Sequence, residues 1–173
     1  MIAIIAEKPS VGLDIARVVG ADTRNDGYCS GNGYMVTWAL GHLVSLAMPD
    51  VYGYTKTTAE ELPMLPVPFR LVSRQIRTDR GMVTDIAATK QLKVIDSVFS
   101  KCDSIIVATD AGREGELIFR WIYTFLECTK PFRRLWISSL TDEAIRKGLE
   151  ELKEGTEYDS LYAAADSRAK ADW

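Results

Sequence analysis

The stretch IIVATDAGREGELIFRW, from Ile105 to Trp121, predicts a buried strand, a tight turn and an amphipathic helix in succession. The opening residues are apolar or small, which is typical of a strand covered on both faces. The closing residues place Leu117, Ile118 and Trp121 on one face of a helix. A buried strand that passes through a charged turn into a helix is the unit from which α/β folds are built.

The rest of the chain repeats this alternation, which predicts an α/β fold with a mainly parallel sheet flanked by helices. Strands are predicted at Ile2–Ala6, in GYMVTWALGHLVSL with turns at Gly33 and Gly41, at Ser104–Thr109 and at Arg134–Ser138. Helices are predicted from Ser10 to Gly20, Arg80 to Lys101, Glu114 to Cys128, Thr141 to Leu152 and Tyr158 to Trp173. The proline-rich segment from Met48 to Pro68 predicts a loop. The last helix has no stop signal, so we expect it to lead into a further domain beyond residue 173.

Composition narrows the classes of function. The chain has 173 residues and a net charge of −3, which suits one globular domain but not a free-standing DNA-binding protein with a basic face. Any contact with nucleic acid must therefore be local or involve other segments. The three scattered cysteines form no CxxC pair, so we expect neither a zinc site nor disulfides, and a cytoplasmic location. The absence of a long apolar run argues against a membrane partner.

Acidic residues stand where the predicted strands end. Glu7 follows the first strand, and Asp110 follows the strand that begins at Ser104. Ligands of open α/β sheets bind beyond the carboxyl ends of the strands, so these carboxylates converge if the two strands are neighbours. Glu114 and Glu116 follow within the next helical turns. Clustered carboxylates repel one another unless a cation joins them, and hard oxygen ligands suit Mg²⁺.

A structural interpretation competes with the metal site. Asp110 could cap the following helix, with Glu114 and Glu116 stabilised by the positive end of the helix dipole. Arg113 argues against this interpretation, because a cation in the first helical turn opposes the dipole. An anionic ligand such as a phosphate explains an arginine at this position better.

Four segments in this order resemble a known family. IIAEKPSVG (4–12), ALGHLVSL (39–46) and ATDAGREGELI (108–118) resemble the Toprim domain of type IA DNA topoisomerases, most closely the topoisomerase III branch. SRAKADW (167–173) resembles the opening of the next domain, which helps to bind single-stranded DNA. The resemblance implies a Rossmann-like Toprim domain over residues 1–155 and the start of a truncated DNA-binding domain over residues 156–173.

The resemblance also implies roles for particular residues. Glu7 matches the general acid/base at the scissile phosphodiester, and Lys8 matches a lysine that contacts phosphate. Arg113 matches an arginine of the same catalytic motif. Asp110 and Glu114 match the first and last acids of an Asp-x-Asp-x-Glu metal motif. The predicted Mg²⁺ ligands are Glu7, Asp110, Glu114 and Glu116.

Gly112 departs from the family pattern, because many relatives carry aspartate at that position. One metal ligand is thus lost, and we expect Glu116 or water to compensate. A glycine also suits a tight turn between strand and helix close to a phosphate.

The implied DNA contacts come from basic residues and from the single histidine. Arg168 falls where the family has a basic residue that contacts DNA, and His42 lies in the family's Gly-His-Leu segment. Lys8, His42, Arg113 and Arg168 are therefore the predicted DNA-binding residues, with single-stranded DNA as the partner. His42 could equally be a turn residue that bonds the backbone.

These roles predict the N-terminal catalytic and metal-binding domain of a bacterial-type topoisomerase III-like enzyme, an isomerase that breaks, passes and reseals single DNA strands. The resemblance puts the nucleophilic tyrosine beyond residue 173, so the chain alone should be inactive without the remaining domains of the polypeptide. Two alternatives stay open: a free-standing Toprim nuclease or primase-like protein, and a non-enzymatic acidic α/β module.

Overall fold

Strands and helices alternate along the chain in the structure, a computed structural model that describes residues 1–53 and 68–173. The strands are β1 (Ile2–Ala6), β2 (Thr23–Asn25), β3 (Tyr28–Gly31), β4 (Tyr34–Trp38), β5 (Val44–Leu46), β6 (Leu71–Ser73), β7 (Gln75–Thr78), β8 (Gly81–Thr84), β9 (Ser104–Ala108), β10 (Phe132–Arg134) and β11 (Lys153–Glu154). The helices are α1 (Pro9–Val19), α2 (Ile86–Lys101), α3 (Arg113–Phe125), α4 (Asp142–Glu150) and α5 (Asp159–Ala171). Short 3₁₀ turns cover Pro49–Tyr52 and Gly155–Tyr158.

One sheet organises the described part of the chain, with the strand order β11-β10-β9-β1-β4-β3-β2. The four inner strands β10, β9, β1 and β4 are parallel, whereas β11, β3 and β2 pair antiparallel at the edges. This arrangement confirms the predicted α/β fold with a mainly parallel sheet. An antiparallel strand pair, β5–β6, and a hairpin, β7–β8, stand apart from the sheet.

The apolar strands are buried because helices cover both faces of the sheet. Alternate residues of a strand point to opposite faces. Ile5 of β1 packs in a cluster with residues of α2 and α3, whereas Ile4 packs with residues of α1 and α4 on the other side. Both side chains are fully buried. A run of consecutive apolar residues is therefore the expected sequence for a central strand.

The helix predicted from Arg80 begins later, at Ile86. Residues Gly81–Thr84 form β8, and the positive φ of Gly81 (98°) allows the tight turn from β7. Asp85 then caps α2, because its side chain accepts hydrogen bonds from the backbone N–H groups of Ala87 and Ala88. The cap and the hairpin together override the helical periodicity of the preceding residues.

Other element boundaries also differ from prediction. The strand predicted at Arg134–Ser138 lies at Phe132–Arg134, because the pairing of β10 with β9 ends at Arg134. The last helix ends at Ala171 instead of Trp173. The predicted cap Thr141 is confirmed, since its side chain accepts from the N–H of Ala144 at 3.2 Å.

Part of the loop predicted from Met48 to Pro68, residues 54–67, lies outside the described residues. Among residues 1–53 and 68–173, none of the helices combines the length and the apolar character needed to cross a membrane. The domain boundary predicted at residue 155 stays a prediction.

Candidate active site

Two acidic residues meet at the carboxyl ends of β1 and β9. The two strands are parallel neighbours with Ala6 opposite Ala108, so Glu7 and Asp110 emerge at the same edge of the sheet. The backbone N–H of Asp110 donates to Oε1 of Glu7 at 3.2 Å. The strand β4 pairs with β1 on the side opposite to β9, so the order in which strands are added to the sheet changes direction at β1. Ligands of α/β sheets bind at such a switch point.

Burial changes the acidity of Glu7, whose exposed fraction is 9%. Burial raises the pKa of Glu7 above the ordinary value of a glutamate. The hydrogen bond from the Asp110 backbone opposes this rise, and the neighbouring Asp110 carboxylate adds to it. The charge of Lys8 lowers the pKa to a smaller extent. Glu7 is thus a carboxyl group that can hold and release a proton closer to neutral pH than an exposed glutamate.

Gly115, which the sequence analysis did not single out, is the glycine that the turn requires. A Cβ atom on Gly115 would lie 1.9 Å from the carbonyl oxygen of Asp110, so a larger residue cannot fit there. A Cβ atom on Gly112 would meet nothing within 4 Å. The backbone at Gly112 is extended, with φ 160° and ψ 179°, a conformation open to other residues. Gly112 is therefore compatible with the turn, but the structure does not require a glycine at this position.

Arg134 lies beneath the acidic turn and holds its backbone. The side chain is buried, Nη2 donates to the carbonyl oxygen of Asp110 at 2.8 Å, and Nη1 donates to Val107 O and Thr109 Oγ1 at 3.1 Å each. Burial lowers the pKa of Arg134, and the charge of Glu116 opposes that change. No motif in the sequence identifies this residue. An arginine directly before the apolar run Leu135, Trp136 and Ile137 was the available signal.

Glu116 is turned away from the acidic pair. Its exposed fraction is 1%, and its Oε1 lies 2.8 Å from Nε of Arg134, a charge contact without hydrogen-bond alignment. Its Oε2 accepts from Nε of Arg120 at 3.2 Å. Burial raises the pKa of Glu116, while the two guanidinium groups oppose the rise. Because both oxygens are held by arginines, the geometry argues against the prediction that Glu116 compensates for Gly112 as a metal ligand.

Glu114 contacts His42 instead of the acidic pair. His42 Nε2 and Glu114 Oε1 are in direct contact, and the His42 ring lies 6.0 Å from the ring of Trp121. The turn that carries His42 also reaches Glu7, because the N–H of Gly41 donates to the Glu7 carbonyl oxygen at 3.4 Å. The structure therefore links His42 to a residue predicted to bind metal. The predicted contact between His42 and DNA stays a prediction.

The carboxylates fit a divalent cation only in part. Within residues 1–53 and 68–173, no group of three or more His, Cys, Asp or Glu side chains is arranged to hold a metal ion. Glu7 and Asp110 are the adjacent pair. Two carboxylates fit Mg²⁺, which keeps several of its waters when it binds to proteins.

The predicted DNA-binding residues lie on the same side of α3 as Glu114, with one exception. Arg113, Arg168 and His42 line a cleft of about 350 Å³ between α3 and α5, with Trp121 in its wall. Arg113 and Arg168 are exposed. Lys8 is exposed at the start of α1 and does not line this cleft.

Comparisons with known proteins agree with this architecture. The Toprim domain family model matches residues 2–140. DNA topoisomerase 3 of Shouchella clausii is 49% identical to this chain over 99% of the chain and 22% of that protein. DNA topoisomerase 3 of Bacillus cereus is 50% identical over 98% of the chain and 22% of that protein. The chain therefore spans about a fifth of the length of these curated relatives.

A solved structure shares the fold. Full-length topoisomerase I from Thermotoga maritima superposes with a TM-score of 0.52 at 19% sequence identity, over 88% of this chain and 21% of that one. At this level of identity the likeness concerns the fold alone.

Proposed function

The chain belongs to the Toprim domain family, and from this premise we propose that it is the proton-transferring and metal-binding part of a topoisomerase III-like enzyme. The longer enzyme breaks, passes and reseals single DNA strands in the cytoplasm. The chain's similarity to DNA topoisomerase 3 over nearly all its residues supports this function over a free-standing nuclease or a non-enzymatic module. The observation that carries the proposal is the contact between Glu7 and Asp110 at the sheet's switch point.

We propose that Glu7 moves the proton of the reaction. A tyrosine outside this chain attacks the phosphodiester, and Glu7 donates a proton to the leaving 3′ oxygen. The same carboxylate takes the proton back when the strand is resealed. Burial, which raises the pKa of Glu7, increases the fraction of the protein that holds this proton near neutral pH.

Toprim domains of topoisomerases bind a divalent metal ion, and we propose Mg²⁺ for this chain. Asp110 would hold it, joined by Glu7 once Glu7 has given up its proton, and the cation would offset negative charge at the phosphodiester. Lys8 and Arg113 would bind neighbouring phosphates. Glu114 would join the site only after leaving His42.

The experiment that tests the proposal is trapping of a covalent adduct. This chain, mixed with end-labelled single-stranded oligonucleotide and Mg²⁺, is expected to give no labelled protein on a denaturing gel. The longer protein of which we propose it is the N-terminal part is expected to give a labelled adduct. The reason is that the chain holds the proton-transferring acid without the nucleophile, and loss of one member of a catalytic unit removes most of its activity. A labelled adduct from residues 1–173 alone would contradict the proposal.

Gly112→Asp is expected to tighten Mg²⁺ binding. The position has an extended backbone and open space around it, so the new carboxylate can be accommodated without strain. A third oxygen ligand should bind a hard cation better than two. Isothermal titration calorimetry on both proteins measures the change, with Ala163→Asp on the exposed face of α5 as a control for added charge. Equal affinity in Gly112→Asp and the parent chain would show that the new side chain does not reach the cation.

Alanine at Lys8, Arg113 and Arg168 together is expected to weaken binding to single-stranded DNA at low salt. Each lost phosphate contact removes the release of counterions that accompanies it. The negative slope of log Kobs against log salt concentration should therefore become shallower by about 2 for three contacts. Fluorescence anisotropy over a salt series measures this slope. The matched control replaces Lys93, Lys101 and Arg146, three exposed cations elsewhere, with alanine. An equal loss in the control would show that net charge, and not this path, determines binding.

A further inference from the structure

Arg120, in the middle of α3, joins the last helix to the interior of the domain. Its Nη1 donates to Oδ1 of Asp159 at 2.9 Å, and its Nη2 donates to the carbonyl oxygen of Gly155 at 2.8 Å. The guanidinium carbon lies 4.8 Å from the ring centre of Phe132 and 5.4 Å from that of Tyr162. Only 12% of the side chain is exposed. Arg120 therefore holds the start of α5 against β10 and α3.

The polar contacts continue from Arg120 to the acidic turn. Its Nε donates to Glu116 at 3.2 Å, and Glu116 contacts Arg134 at 2.8 Å. Arg134 donates to the carbonyl oxygen of Asp110 at 2.8 Å. The N–H of Asp110 in turn donates to Glu7. Glu116 and Arg134 are almost fully buried, so these contacts are only weakly screened by solvent.

The next residue of α3 makes a second connection between the same helix and the same site. Trp121 Nε1 donates to Oδ1 of Asp166 on α5 at 2.9 Å. The Trp121 ring packs against His42, which contacts Glu114. Arg120 and Trp121 thus both contact α5. Further contacts connect Arg120 to Asp110 and Trp121 to Glu114.

We infer that Arg120 is a positioning residue through which the seating of α5 controls the backbone of Asp110. The inference rests on the proposed function. The helix α5 lies beyond residues 2–140, the part of the chain that matches the Toprim domain model, and we propose that α5 belongs to the start of the DNA-binding domain. A shift of α5 would move Arg120, release Glu116 and loosen the arginine that holds the Asp110 carbonyl. The acidic pair would then lose its alignment without any change in its own residues.

The test is amide hydrogen exchange on this chain without metal or DNA. Arg120→Met keeps an unbranched apolar stem and removes the charged contacts. Exchange at the Asp110 amide is expected to rise about threefold to tenfold relative to the core amides of Ile4 and Ile5, as for the loss of one hydrogen bond. Asp159→Asn, which weakens only the contact on the α5 side, is expected to change exchange in the same direction by less. Arg146→Met on the exposed face of α4 is the control and should change neither.

A uniform rise at Asp110, Ile4 and Ile5 in both test variants would overturn the inference, since a purely structural role predicts it. An unchanged Asp110 amide would overturn it as well. If Arg120→Met does not fold, a selective rise in Asp159→Asn supports the inference and its absence contradicts it. The adduct assay on the longer protein tests the proposed function separately, because exchange in this chain involves no DNA.

Discussion

Glu7→Gln in the longer protein is expected to lower the initial rate of covalent DNA adduct formation by about 10²–10⁴-fold, the range in which general acid–base catalysis contributes. Glutamine has nearly the shape of glutamate, and its Oε1 can still accept the hydrogen bond that the Asp110 backbone donates at 3.2 Å. The substitution therefore preserves the geometry of the turn and removes the proton that the leaving oxygen needs. Denaturing gels of end-labelled oligonucleotide measure the adduct. Glu150→Gln on the exposed face of α4 is the matched control and should leave the rate unchanged.

The pH dependence separates this chemical loss from unfolding. Because the pKa of Glu7 is raised in the folded state, its ionised form costs stability once the pH exceeds the pKa of the unfolded chain. Glu7→Gln removes that cost, so in the presence of a chelator the variant should be more stable than the parent at neutral pH. Below the pKa of the unfolded chain the two proteins should be equally stable. An inactive variant that is also less stable at neutral pH would show that Glu7 is needed for the fold instead of for proton transfer.

Glu116→Gln is expected to destabilise the chain by at most about 3–5 kcal/mol, the cost of removing one partner from a buried ion pair, because the burial that raises the pKa of Glu116 offsets part of this loss. The substitution leaves the buried guanidinium of Arg134 without its counter-charge and takes a partner from Arg120. Urea denaturation followed by circular dichroism measures the change. Glu150→Gln should stay within about 0.5 kcal/mol of the parent, as surface substitutions usually do.

A double substitution tests whether the charge of Arg134 is the cause. Arg134→Met combined with Glu116→Gln removes both charges of the pair, so its effect should be smaller than the sum of the two single effects. Strict additivity would show that the two residues act independently.

The Mg²⁺ affinity of the Glu116→Gln protein is a second measurement. A stable variant with weakened metal binding would indicate that Glu116 is a metal ligand.

The acidic pair could be predicted from the sequence because the two features that produce it, a buried strand and a carboxylate directly after it, are both local. The apolar runs that end at Ala6 and Ala108 identify buried parallel strands, and a carboxylate directly after such a strand must lie at the carboxyl edge of the sheet. The helix that begins at Arg113 was predicted on the same basis, from the spacing of Leu117, Ile118 and Trp121. These local patterns do not show whether the two strands are neighbours in the sheet, and it is the order of the strands that brings the two acids together.

The sequence alone does not reveal the partner of a charged side chain when that partner is distant in the chain. Glu116 lies near two other acids in the sequence, which favours a metal ligand, whereas in the structure it contacts Arg134 on β10. The arginine four residues later, Arg120, was a local signal for an ion pair on the same helix. No local signal joins His42 to Glu114, which are 72 residues apart.

By itself, the sequence determined the α/β fold, the positions of the central strands and the placement of Glu7 and Asp110 at one edge of the sheet. Hydrophobic periodicity and strand direction are properties of neighbouring residues, and they are sufficient for those features. Only the tertiary structure decided which charged groups the other two acids contact. It paired Glu116 with two arginines and Glu114 with a histidine, and it brought Asp110 so close to Gly115 that no side chain fits there. The physical reason is that the state of a carboxylate depends on its burial and on the nearest charge, and packing between distant segments sets both.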